Sequence, residues 1–149
     1  MSEPREELIT CILNNMYALK RGMHLQLYGD DKPGSLTPTQ QGILLAIRQE
    51  QPVNFKILAK HSYLTPGAIS QLAEALESAG YIKRVASKQD RRVQCLELTK
   101  KGEKHLIQLE NRHRAALELV MTGLSTEELR TWVDIQRKLL DAFQKKSEN

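Results

Sequence analysis

Apolar positions in residues 5–28, REELITCILNNMYALKRGMHLQLY, recur every three or four residues. Leu8, Ile12, Met16, Leu19 and Met23 form a stripe, and Ile9, Leu13 and Tyr17 widen it. That spacing predicts one long amphipathic helix. GDDKPGS, 29–35, is punctuated by glycine and proline and reads as a loop. Thr37-Pro38-Thr39-Gln40 then has the form of a capping box with proline at the first helical position. It predicts a helix ending near Glu50, with Ile43, Leu44 and Ile47 on its apolar face. Asn54 is placed to cap a short helix, Phe55–His61, with Ile57 and Leu58 pointing inward. Thr65-Pro66 repeats the cap-and-proline signal. The helix it opens, Pro66–Ala79, carries Ile69, Leu72, Ala73 and Leu76 on one face, and Gly80 is suited to end it in the left-handed conformation.

The period then changes. YIKRVAS (81–87) and VQCLELT (93–99) read as two short strands joined through the charged segment KQDRR, a two-stranded hairpin. Thr99 can cap a helix over 100–121. Ser125-Thr-Glu-Glu128 is a further capping box, opening a last helix over 126–145 with Leu129, Trp132, Val133, Leu139, Leu140 and Phe143 as its stripe. The tail KKSEN is expected to fray. There is no internal repeat and no low-complexity segment.

Three short helices in tight succession followed by a hairpin have the form of a winged helix-turn-helix. The fold class expected is mainly α with a small β-hairpin wing, plus a helical dimerisation region. A helix about 10–12 Å across fits a DNA major groove about 12 Å wide. An arginine-tipped hairpin beside it can enter a minor groove, where negative potential is concentrated.

Charge supports this reading locally rather than globally. The 149 residues carry a formal net charge of +4. Residues 81–92 alone hold five bases (Lys83, Arg84, Lys88, Arg91 and Arg92) against one acid, Asp90. A basic patch of this kind can mark a nucleic-acid surface. The N-terminus, MSEPREELITC, lacks the character of a secretory signal, and no apolar run is long enough to span a bilayer. A cytoplasmic protein without membrane association is therefore expected. The two cysteines, Cys11 and Cys95, make neither a disulfide framework nor a metal-ligand spacing. No nucleophile motif, phosphate loop or paired-acid arrangement points to an enzyme.

The segment LTPTQQGILLAIRQ…NFKILAKHSYLTPGAISQLAEALESAGYIKRVASKQDRRVQCLELTKKG resembles the MarR family of transcription regulators. ILAKHSYLTPGAISQLAEALESAGYI is similar to that family's helix, turn and recognition helix. DRR followed by a strand ending LTKKG resembles its wing and exit, and GLSTEELRTWVDIQRKLLDAF its last helix. The resemblance implies a homodimeric repressor on double-stranded DNA. Residues 1–36 and 100–149 would form the dimerisation region and 37–99 the winged helix-turn-helix domain, with recognition helix 65–79 and wing 81–99. It gives Arg92 the minor-groove position and Asp90 that of the acid that steadies the wing, with a carboxylate able to hold a guanidinium by paired hydrogen bonds. Arg91 would reach phosphate or solvent.

One departure matters. The recognition helix has no arginine or lysine and holds Glu74 and Glu77. Base reading would fall to Thr65, Gly67, Ala68, Ser70 and Gln71, where glutamine can pair with adenine and a methyl group can touch thymine. Lys56, Lys60, Lys83, Arg84 and Lys88 would add electrostatic attraction.

The resemblance also implies a small aromatic or anionic effector, held in a region that here includes Met16, His24, Tyr28 and the 37–47 helix. Some relatives sense peroxides through a cysteine placed like Cys11 with helping tyrosines. Tyr17 and Tyr28 are near in sequence, but Gln41 stands where a helping tyrosine is expected. An inert thiol is the commoner case, for Cys95 still more. His105 and His113 share a predicted helix but are eight residues apart, out of alignment, and His24 and His61 lie elsewhere, so no metal or other cofactor is expected. The alternatives to a regulator released by an effector are a winged-helix protein-interaction module with weak or lost DNA binding, and a Cys11 oxidation sensor.

Overall fold

A computed structural model describes residues 4–28 and 34–147. Its elements in chain order are α1 (Arg5–Tyr28), α2 (Pro38–Glu50), β1 (Val53–Asn54), α3 (Phe55–Ser62), α4 (Pro66–Ser78), β2 (Ile82–Ala86), β3 (Gln94–Leu98), α5 (Lys100–Val120) and α6 (Thr126–Ser147). The loop expected at 29–35 falls outside the described residues except for Gly34 and Ser35. Of the tail expected to fray, Lys145 to Ser147 continue α6, and Glu148 and Asn149 lie outside the described residues.

The caps explain where the helices start. Thr37 Oγ1 accepts the Gln40 N–H at 3.2 Å, and Gln40 Oε1 accepts the Thr37 N–H at 2.8 Å. Ser125 and Glu128 repeat the box at the start of α6. There the serine's N–H and hydroxyl both donate to the Glu128 carboxylate, which holds it below the usual carboxylate range. Asn54 Oδ1 caps α3 at the Ile57 N–H, and Gly80, at φ 80°, follows the end of α4.

The β2–β3 hairpin forms where the alternation placed it, and a strand that the pattern did not show joins it. Val53 and Asn54 pair with Leu96 and Cys95, making a three-stranded antiparallel sheet in the order β1-β3-β2. The added strand covers the backbone edge that β3 would otherwise leave open. Gln51 Oε1 extends that cover by accepting the Leu98 N–H at 2.9 Å. Two residues are too short a run to show period-two alternation, so the sequence pattern hid it. One expectation needs correction: Ile57 does not point inward but is 39% exposed, and the buried residues of α3 are Leu58 and Ala59.

The chain divides into two compact units, with the boundary in α5 after His113. In the first unit a single core joins Ile43, Leu44 and Ile47 of α2, Leu58 of α3, Ile69, Ala73 and Leu76 of α4, and Ile82, Leu96 and Leu98 of the sheet. Leu36, Val53 of β1, Ala59 of α3, and Leu106 and Leu109 of α5 complete it. No described side chain of α1 is buried, and none from 114 to 145 is. The apolar stripe of α1 is exposed, as at Ile12 and Met16, and that of α6 is exposed at Val133, Leu139, Leu140 and Phe143 while Leu129 and Trp132 are half-buried.

Candidate nucleic-acid interface

The anchoring of α4 decides which of its residues face outward. Ile69, Ala73 and Leu76, at spacings of four and three, are fully buried. Thr65, Gly67, Ser70 and Gln71 are consequently exposed and Ala68 is half-buried. The polar groups of this face are not equally available. Thr65 Oγ1 is occupied as N-cap, accepting the Ala68 N–H at 3.2 Å. Ser70 Oγ donates back to the Pro66 carbonyl at 3.0 Å. No hydrogen bond holds the Gln71 amide among the described residues. A Cβ at Gly67 would meet nothing within 4 Å, so an approaching surface finds open backbone there.

Lys56 and Lys60 are exposed on α3, the preceding helix. The turn between α3 and α4 contains a feature that sequence reasoning missed. Tyr63 adopts the left-handed conformation at φ 53° and is 97% exposed. Glycine or asparagine is the usual signal for such a helix end, and a tyrosine gives none.

The wing has a paired base and an unpaired tip. At the tip, Ser87 N–H donates to the Val93 carbonyl and Val93 N–H to the Asp90 carbonyl, both at 2.9 Å. Asp90 Oδ1 accepts the backbone N–H of Arg92 at 2.9 Å. The carboxylate thus engages the main chain of Arg92, not its guanidinium, and shapes the turn as an Asx motif. Among the described residues no ion pair engages Lys88, Arg91 or Arg92, and all three are exposed. At the base, Lys83 Nζ lies 3.2 Å from Glu97 Oε2, its directly opposed neighbour in the register. Arg84 Nε lies 2.9 Å from Glu77 Oε2 of α4.

The start of α5 clamps this base. Thr99 Oγ1 donates to the Gly80 carbonyl at 2.7 Å, and Lys101 Nζ donates to the Ala79 carbonyl at 2.6 Å while lying 4.4 Å from the Tyr81 ring centroid. One cationic group, Lys101, is thus set at the C-terminal end of α4, where carbonyls are left over. A Cβ at Gly102 would overlap the Tyr81 carbonyl, so only glycine permits this approach. His105 stands edge-on to Tyr81 at 5.3 Å. Burial, with Arg112 and Lys101 nearby, lowers its pKa.

The other candidate residues, Cys95 of β3 excepted, lie apart from this surface in sequence. Met16 and His24 line an open hollow along α1 with Tyr17, Lys20 and Met23. The Tyr28 side chain lies outside the described residues. Cys11 is exposed, with Asn15 Nδ2 donating to its Sγ at 3.6 Å, and Cys95 is buried in β3. Gln41 is buried, its amide donating to the Leu36 carbonyl at 3.0 Å. Among the described residues no group of three or more His, Cys, Asp or Glu could hold a metal, and no helix is long and apolar enough to cross a membrane.

Helix α2, the α3–α4 pair and a three-stranded sheet with a projecting hairpin define a winged helix-turn-helix protein. Residues 36–93 match the MarR family. The chain is 34% identical over 71 residues to the HTH-type transcriptional regulator SarZ of Staphylococcus haemolyticus, a match that covers 48% of each, so it spans about half the length of that relative. Among solved structures, YusO of Bacillus subtilis superposes with a TM-score of 0.72 at 23% identity, covering 94% of this chain and 99% of that one. Streptococcus pneumoniae FabT in complex with DNA does so with a TM-score of 0.67 at 27% identity, covering 94% and 95%. The family match thus falls on the winged helix-turn-helix part of the chain, from the residue before the Thr37 cap to the first residue after the wing tip.

Proposed function

We propose that the protein is a homodimeric DNA-binding transcription regulator, acting as a repressor at a near-palindromic operator. The observation that carries the reading is the set of exposed cations without ion pairs on the wing tip: Lys88, Arg91 and Arg92. Helix α4 would enter the major groove through its first two turns, with Gln71 as the freest base-reading group and Thr65, Gly67, Ala68 and Ser70 in contact range. Arg92 would enter the minor groove, and Lys56 and Lys60 would attract the phosphate backbone. Residues 37–99 would be the reading domain.

The open stripes of α1 and α6 support the dimer. Apolar faces of that extent are normally covered, and residues 1–36 and 100–149 would cover one another across a two-fold axis. That symmetry would present two copies of α4 to successive major grooves about 34–36 Å apart. A small aromatic or anionic effector near Met16 and His24 would release the DNA by binding one spacing of the two readers better than another.

The test is a titration of the DNA flanking the gene across a salt series. A steep linear fall of log K with log salt is expected, with a slope of about −0.9 per phosphate neutralised. No binding at low salt would instead favour a winged-helix module that docks on protein. The exposure of Cys11 favours a second reading, an oxidation response. Peroxide should then weaken DNA binding in the wild type and not in Cys11→Ser, and an equal response in both removes it.

A further inference from the structure

Arg84 stands on the face of the hairpin that also carries Ile82 and, across the register, Leu96 and Leu98. Those three side chains belong to the core. One step beyond the core's edge, the next inward position holds a guanidinium. Its Nε donates to Glu77 Oε2 at 2.9 Å and its Nη1 to Gln94 Oε1 at 3.4 Å. Its central carbon lies 5.3 Å from the centroid of the Phe55 ring. The end of α4, both wing strands and the start of α3 therefore meet at one planar group.

We propose that Arg84 is a positioning residue, not a phosphate contact. It fixes the angle between the wing and α4, and it cancels the charge of Glu77 on a helix that must approach DNA. The proposal rests on the DNA-binding reading and assigns Arg84 a duty within it. Arginine suits the task because its donors form a rigid fork and its flat face stacks on an aromatic ring, where lysine offers a point charge. What is at stake is orientation more than stability, since an exposed pair of this kind contributes little to folding. A two-stranded ribbon is weakly held by itself. Five strand residues extend roughly 17 Å. A swing of roughly 10° at the base would then carry the tip through roughly 3 Å, the length of a hydrogen bond.

The test uses the full-length chain carrying Arg84→Gln, Glu77→Gln, both together, or the swap Glu77→Arg with Arg84→Glu. Amide hydrogen exchange in the free protein and DNA affinity across salt are measured for each. Either single variant should speed exchange at Val85, Ser87 and Val93 severalfold while leaving the amides of α2 unchanged. Each should weaken DNA binding about tenfold with the salt slope unchanged, the double variant should be no worse than either single one, and the swap should recover most of the loss.

The proposal is overturned if Arg84→Gln lowers the salt slope by about 0.9 while Glu77→Gln leaves or improves affinity, because that is the signature of a phosphate contact. Unchanged wing exchange in both single variants overturns it as well. Should Arg84→Gln lose its cooperative melt, Glu77→Gln decides alone, since it breaks the same bracket from the other side. If the wild type binds no DNA, the regulator reading fails, and the exchange results still decide whether Arg84 holds the wing.

Discussion

The base and the tip of the wing are built from the same residue types and treat them in opposite ways. At the base, Lys83 faces Glu97 at 3.2 Å and Arg84 faces Glu77 at 2.9 Å. At the tip, Lys88, Arg91 and Arg92 have no ion pair among the described residues, and the acid in their midst, Asp90, is turned to a backbone N–H. Internal partners at the base satisfy the cations and hold the strands. Their absence at the tip leaves positive charge facing outward, ready for an anion. A count of bases over 81–92 merges the two groups, although they differ in what they can bind.

The largest effect should come from breaking the base. Gly102→Ala would push a methyl group into the Tyr81 carbonyl. The atom in the way is a backbone oxygen and not the end of a flexible side chain, so the backbone must shift. Overpacking of this kind costs about 1–3 kcal/mol. A thermal melt followed by circular dichroism should record the loss. An unchanged midpoint would mean that α5 and the α4–β2 turn are not locked together, and the base would lose its claim to be the rigid half of the pair.

A smaller effect, and one of different kind, is expected at the tip. Arg92→Ala should leave the melting midpoint unchanged, because the side chain is exposed and makes no ion pair. DNA affinity should fall by about 1–2 kcal/mol and the salt slope should lose about one unit. Equal loss of stability and of affinity would show that tip and base are not separable.

Much of this division was legible in the residues, for reasons that differ by element. The helix starts were plain because threonine, asparagine and serine caps with their partners at fixed offsets leave a local signature, as at Thr37 and Ser125. The hairpin was plain because alternation broke a helical period. The short strand Val53–Asn54 was not, since its assignment depends on distant partners in the chain, Leu96 and Cys95. Which cations are free was also hidden, because pairing depends on which strand position faces which helix. Arg84 reads as surface charge until Ile82 and Leu96 show that its face is the inner one. Tyr63 was missed for a related reason: its left-handed backbone is imposed by the helix-turn-helix connection, and the residue itself carries no preference for it.

The smallest expected effect concerns protons at the base. His105 rests edge-on to Tyr81, and burial together with Arg112 and Lys101 lowers its pKa below the ordinary histidine value. The unfolded chain has no such constraint, so between the unfolded value near 6.5 and the depressed folded value the unfolded state binds more protons. Stability therefore falls as pH drops through that window and is unaffected by this group above it. Denaturant melts at pH 7.5 and pH 5.5 should show a loss on acidification that is smaller in His105→Gln, whatever the variant's absolute stability. The tip holds no histidine between Ser87 and Val93, so its charge should stay constant over the same range. A pH dependence that is identical in the variant would detach His105 from the base. DNA affinity that weakens on acidification by the same factor as stability would tie grip at the tip to rigidity at the base.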